Sequence, residues 1–242
     1  DNNTRLLSCS SVQYARGLRH NLNRLGEACK QHGSLFCVDA IQSLGAIEFD
    51  VQACQADFVV ADGHKWMCAP EGTALFYCRR EVQPLLTLRQ YGWHMLKDAF
   101  NFAHQHDSIE YVEDAQRFES GSPNMMGIAA LNASLGLLLD IGIDKIEQQV
   151  LSKAEYLFDK LASMPDIKIL TSTLSGSYAG IVTFQKQTAD KQVAENMNLY
   201  KYLQENNVIC AYRGDGIRFS PHFHTEKTTI DKALELVSAY IS

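Results

Sequence analysis

The stretches Ser34-Leu35-Phe36-Cys37-Val38-Asp39-Ala40-Ile41-Gln42, Asp57-Phe58-Val59-Val60-Ala61-Asp62-Gly63-His64-Lys65-Trp66 and Pro70-Glu71-Gly72-Thr73-Ala74-Leu75-Phe76-Tyr77 decide the fold of this chain. Each is a short apolar run bounded by polar groups. Continuous apolar runs, as opposed to alternating ones, indicate strands covered on both faces, as in a mainly parallel sheet. In such sheets ligands bind beyond the carboxyl ends of the strands. An acid (Asp39), an amide (Gln42) and an amine (Lys65) therefore fall where a ligand is expected.

Working outward, residues 4–12 read as a strand and residues 21–32 as a helix, with Leu22, Leu25, Ala28 and Cys29 at helical spacing and Gly33 as its stop. A short helical segment near Val51 and strands over 57–61 and 73–78 follow. Residues 84–114 turn irregular and aromatic, with Tyr91, Trp93, Phe100, Phe102 and Tyr111. Helices are expected over 126–139 and 145–163, broken at Gly142. The remainder reads as strands 167–170, 179–185, 208–211 and 217–220 with helices 191–206 and 228–241. The expectation is an α/β chain in two parts: a parallel-dominated sheet with helices on both faces over 1–143, and a smaller α+β domain over 144–242.

The 242 residues suffice for a full core, and a net charge of −6 with 21% charged residues describes a mildly acidic protein. No basic run marks a nucleic-acid surface, and no apolar stretch is long enough to span a bilayer. Neither nucleic acid nor membrane is an expected partner, and residues 1–10 lack the layout of a signal peptide. A cytoplasmic location is expected. The seven cysteines are odd in number and include no Cys-x-x-Cys pair. They read as reduced core residues, with Cys68 and Cys210 the two whose neighbours make them worth following.

An amine, a carboxylate and an amide at strand ends match what pyridoxal phosphate requires. Its aldehyde needs an amine to form a Schiff base, its ring nitrogen an anion, and its oxygens hydrogen-bond donors. Singly, each residue has an ordinary alternative: a strand-end Asp forms turns and an isolated Lys is usually solvated. Their joint order and strand context favour the cofactor site.

The run Asp62-Gly63-His64-Lys65-Trp66 with Pro70-Glu71-Gly72, preceded by Asp39-x-x-Gln42, resembles the lysine signature of the class V aminotransferase family. These are fold type I pyridoxal phosphate enzymes with an aspartate aminotransferase-like fold, including cysteine desulfurases, kynureninases and isopenicillin N epimerase-like proteins. The resemblance implies that Lys65 forms the Schiff base and shuttles the substrate α-proton, its pKa lowered by burial and a cationic ring. It implies that Asp39 pairs with the pyridine nitrogen, Gln42 bonds the phenolic oxygen and His64 reaches the phosphate. Asp62 stands where many relatives carry a hydroxyl. A carboxylate repels a phosphate unless protonated or bonded elsewhere, so Asp62 points to the epimerase-like branch.

Further along, Arg117-Phe118-Glu119-Ser120-Gly121-Ser122-Pro123-Asn124 resembles the family segment that lends a hydroxyl to the phosphate of a second subunit. The resemblance implies that Ser122 is that hydroxyl and that the enzyme is a homodimer with shared active sites. Ser122-Pro123 also reads as a helix cap. Arg218 in Ile217-Arg218-Phe219-Ser220-Pro221 matches the arginine that clamps the substrate carboxylate, with Arg213 a weaker candidate and a surface salt bridge the plain alternative. Desulfurases place a nucleophilic cysteine on a loop ahead of that arginine. Here Cys210 reads as lying inside a strand, which ranks desulfuration below transamination, other lyase chemistry or epimerisation.

His104-x-His106 and His222-x-His224 are possible metal pairs but read as surface or packing residues. The family's amino-terminal phosphate cup is not matched, so the chain resembles the carboxyl-terminal portion of a longer enzyme. A cofactor-free fragment serving as a binding or dimerisation module is the rival from another class.

Overall fold

The computed structural model describes residues 1, 3–101, 109–188 and 192–241. Phe102 and the pair His104 and His106 lie outside them. Two four-stranded sheets organise the chain.

The first sheet runs β1 (Leu6–Ser10), β2 (Leu35–Asp39), β3 (Phe58–Asp62) and β4 (Ala74–Cys78), in that spatial order. β1, β2 and β3 are parallel, whereas β4 is antiparallel to β3. A loop without a helix joins β3 to β4, so the chain turns back, and that loop carries Lys65.

Helix α1 (Leu22–His32) joins β1 to β2. Asn21 caps it by accepting from the Arg24 amide, and Gly33, at φ 65°, ends it in the left-handed conformation. Phe36, Val38, Val59, Ala61, Met67, Cys29 of α1 and Leu131 of the later helix α2 form the core on one sheet face. The opposite face is more open, with Val60 and Phe76 39% and 44% exposed. The helical segment expected near Val51 is instead a succession of turns. Asp50 Oδ1 accepts from the amides of Gln52 and Ala53, and this local competition holds the backbone in turns.

Two long helices follow, α2 (Met125–Ile141) and α3 (Ile143–Ala162), bent by 83° at Gly142, whose φ is 96°. Among the described residues no single helix is long and apolar enough to cross a membrane. The second sheet has the order β5 (Ile167–Ile169), β6 (Val182–Lys186), β8 (Gly216–Phe219), β7 (Ala211–Arg213), with every neighbouring pair antiparallel. It packs with α3, α4 (Gln192–Glu205) and α5 (Lys227–Ile241) around Leu157, Leu161, Phe184, Leu199, Ile217 and Val237.

A third core cluster lies between the two sheets. Val12, Ala46, Ile47 and Trp66 from the first part meet Ile146, Val150, Ala179 and Ile181 from the second. Helix α3 thus serves both parts, its first turns facing this seam and its later turns the second sheet.

Candidate active site

The carboxyl ends of β1, β2 and β3 lie along one edge. Ser10 is in register with Asp39, and Asp39 with Val60, two residues before Asp62. The loops leaving this edge are stitched together. Ser11 donates from its amide and its hydroxyl to the Asp39 carbonyl, at 2.8 and 3.2 Å, and its Oγ lies 2.6 Å from that of Ser43. Asp39 Oδ1 accepts from the Ile41 amide at 3.0 Å, which orients the half-buried carboxylate.

The β3–β4 loop is held by backbone hydrogen bonds from Gly63 to Thr73, from Ala69 back to Gly63, and from Cys68 to the Lys65 carbonyl, at 2.8, 2.9 and 3.1 Å. Cys68 sits at φ 57°, a left-handed conformation costly for a non-glycine residue. The turn exposes Lys65 while Trp66 and Met67 are 5% and 2% exposed. Among the described residues the Lys65 amine makes no hydrogen bond or ion pair. Burial of Lys65 is expected from its proposed role, whereas here the side chain is exposed, because Trp66 and Met67 take the inward positions of the turn and leave Lys65 the outward one.

Trp66 is the anchor of this loop. Its indole Nε1–H donates to Gln42 Oε1 at 2.9 Å, its carbonyl lies 2.8 Å from His222 Nε2, and its ring centroid is 5.1 Å from that of His222. Two glycines make room for it. A Cβ on Gly45, which has φ 91°, would fall 2.3 Å from the Trp66 carbonyl oxygen, and one on Gly180 would fall 2.3 Å from Trp66 Cη2. The same contact fixes Gln42, which is 5% exposed. With Oε1 committed to the indole, its Nε2 makes no hydrogen bond among the described residues and remains a donor for a ligand.

His64 and Asp62 interact with one another. His64 Nδ1 lies 2.9 Å from Asp62 Oδ1, an ion-pair distance without the alignment of a straight hydrogen bond, and the His64 amide is 3.4 Å from the same oxygen. The imidazole beside it holds the Asp62 carboxyl below the usual carboxylate range. Asp62 thus stays ionised with the adjacent histidine as its partner.

Arg218, on β8 opposite Thr183 and Ala211, donates from Nη1 to the Tyr14 carbonyl at 2.7 Å, reaching the loop that leaves β1. Its Nε is buried without a partner, and burial together with nearby Arg213 disfavours its charge. A guanidinium so placed has both the unpaired donor and the electrostatic reason to take up a carboxylate. Arg213 is exposed and bonded to its neighbour's carbonyl, Tyr212, at 2.8 Å. Arg213 therefore does not join Arg218 in the buried arrangement.

Ser122 is exposed and does not cap α2. Asn124 does, accepting from the Gly127 amide at 3.0 Å while its amide nitrogen reaches Gly72 and Thr73. Cys210 lies just before β7 and not within a strand, because the chain enters that strand only at Ala211. Burial pushes its thiol up to about 11. His222 and His224 are stacked at 5.0 Å, and both ring nitrogens of His222 have partners, Trp66 and the Phe223 amide. The described residues hold no cluster able to bind a metal ion.

Sequence reasoning missed the parts played by Trp66 and His222. The run Ser220-Pro221-His222, close behind Arg218, was the available signal, but a single histidine carries no spacing of its own.

The aminotransferase class-V family model matches residues 1–221, and the chain belongs to that family. The cofactor of the family is pyridoxal phosphate. Among curated relatives, a probable cysteine desulfurase of Ureaplasma parvum is 31% identical over 216 residues, covering 85% of this chain and 51% of the relative. An uncharacterized aminotransferase, YcbU, of Bacillus subtilis is 28% identical over 239 residues, covering 97% of this chain and 59% of the relative. The chain thus spans about half to three-fifths of these relatives. In fold it is similar to an apo cysteine desulfurase from Thermococcus onnurineus, with TM-score 0.81, 23% identity and coverage of 97% of this chain and 59% of that one. It also matches the cystine C-S lyase C-DES in complex with cysteine persulfide, with TM-score 0.85, 22% identity and coverage of 98% and 61%.

Proposed function

We propose that this chain carries the lysine-bearing part of a pyridoxal-phosphate-dependent enzyme that acts at the α-carbon of an amino acid. The observation behind the reading is the common edge of β1, β2 and β3. There a solvated amine (Lys65), an oriented carboxylate (Asp39) and an amide with an uncommitted donor (Gln42 Nε2) come from adjacent strand ends. These groups fit the cofactor's needs.

In this reading Lys65 holds the cofactor through its amine and carries a proton on Nζ to and from the substrate. Asp39 balances the positive ring nitrogen, Gln42 Nε2 donates to the phenolic oxygen, and His64, beside Asp62, faces the phosphate. Arg218 pairs with the substrate carboxylate through its fork of donors. The cofactor, when bound, supplies the electron sink for the bond broken at the α-carbon. Ser122, exposed before α2, would serve the phosphate of a second subunit in a homodimer with shared sites.

Transamination and epimerisation are two outcomes open to such a site. Cleavage of a carbon–sulfur bond is favoured by the names of the desulfurase and C-S lyase relatives. The half-buried Cys210, with its thiol pushed up to about 11, is a poor thiolate nucleophile, so such cleavage would not proceed through it.

Adding pyridoxal phosphate to the protein should produce a visible absorption band that Lys65→Ala abolishes. A wild type without a Lys65-dependent band would sink the proposal. A screen of amino acids for keto acid, ammonia and sulfide release then separates transamination from carbon–sulfur cleavage.

A further inference from the structure

We propose that His222 is a positioning residue for Lys65, acting in its neutral form through the Trp66 peptide. The inference deepens the cofactor-site reading and rests on it.

His222 Nδ1 accepts from the Phe223 amide at 2.7 Å. The ring proton therefore resides on Nε2, which donates to the Trp66 carbonyl at 2.8 Å. This bond crosses from the segment after β8 to the carbonyl of the residue that follows Lys65, His222 and Trp66 being 156 residues apart in sequence. The Lys65 carbonyl is tied to the Cys68 amide, so the backbone that launches the lysine side chain is held on both sides of Trp66. His222 also follows Arg218 by four residues. One short segment of the second part thus supplies both the carboxylate clamp and the brace for the amine.

Protonation of His222 requires the Nδ1 lone pair and breaks the bond from Phe223. The titratable or charged groups facing the ring among the described residues are His224, stacked at 5.0 Å, and Lys153 of α3. Neither stabilises a cation. Lys153 is itself anchored at the Phe223 carbonyl at 2.9 Å, which keeps its charge beside the ring. Burial and these two groups hold His222 below its usual value.

The experiment pairs a readout that needs no cofactor with one that does. In a Trp93→Phe background Trp66 is the sole tryptophan, and its fluorescence should titrate with an acid midpoint below about 6.5, the ordinary histidine value. This transition should vanish in His222→Gln, whose amide retains a donor for the Trp66 carbonyl, and in His222→Phe, which retains the ring alone. Borohydride trapping of pyridoxal phosphate on Lys65 should then be slowed about tenfold by His222→Phe, the scale of one lost hydrogen bond, and largely rescued in His222→Gln. Circular dichroism of both variants establishes that each is folded, and His222→Gln carries the test if His222→Phe is not.

If wild type traps no cofactor on Lys65, the cofactor-site reading fails. If wild type traps it and both variants match its rate and pH dependence, the positioning inference alone is overturned. A Trp66 titration that persists in His222→Gln overturns it as well.

Discussion

The indole nitrogen of Trp66 donates to the side-chain oxygen of Gln42 at 2.9 Å, joining the residue after the candidate Schiff-base lysine to the amide expected on the cofactor ring. The bond orients two functional groups at once. It keeps Lys65 on a buried pivot and commits the side-chain oxygen of Gln42 while leaving its amide nitrogen without a partner among the described residues.

Removing that donor has a cost that can be read. Trp66→Phe retains most of the packing but leaves Gln42 Oε1 without its partner, and stability should fall by about 1–3 kcal/mol, the cost of an unsatisfied buried polar atom. Denaturant melts check the loss, and pyridoxal phosphate affinity should fall in parallel because Gln42 is free to turn.

Gly180→Ala addresses the same residue from the other side. Its Cβ would stand 2.3 Å from Trp66 Cη2 and 2.8 Å from Val150, so the seam between the two sheets must shift. Overpacking of this kind costs about 1–3 kcal/mol. A thermal unfolding midpoint equal to that of wild type would show that the seam relaxes freely.

The pH dependence of stability follows from His222. Its folded pKa is lowered, so the neutral ring is favoured by folding. The corresponding stability is present above the unfolded-state value of about 6.5 and is lost as pH falls through the lower folded value. Wild type should therefore become less stable relative to His222→Gln over this acid range, as measured by urea titrations at successive pH values.

Tyr178 gives the opposite limb. Its hydroxyl donates to Glu155 at 2.5 Å, and this bond raises its pKa to about 12. Stability from the protonated phenol is complete below its unfolded value of about 10 and declines as pH rises toward the folded one. Tyr178→Phe should flatten the alkaline decline in the same titrations.

At the substrate end, Arg218→Lys keeps a charge but loses the planar fork and the bond to the Tyr14 carbonyl. Affinity for an α-carboxylate substrate should drop at least about tenfold, or ~1.4 kcal/mol, with less effect on cofactor binding. An unchanged KM for every substrate turned over would remove Arg218 from the clamp.

The local chain determined much of this. Apolar runs at 34–39 and 57–62 announce β2 and β3 because both faces of a strand in a mainly parallel sheet are largely apolar, even though the face carrying Val60 is left more open here. Asn21 and Gly33 bracket α1 because capping depends on near neighbours. Residues Asp39, Gln42 and Lys65 stood out in the sequence because they follow such runs within a few positions, and register then carried them to one edge.

What the tertiary structure decided depends on partners far apart in sequence. The antiparallel return of β4, the exposure of Lys65 and the capping of α2 by Asn124 in place of Ser122 follow from packing around the β3–β4 loop. The pairing of Asp62 with His64 depends on how the chain turns at Gly63. Most of all, the Gln42–Trp66–His222 chain links residues 180 positions apart, 42 and 222. No local period encodes a bond whose two ends meet only when the sheets have closed on one another.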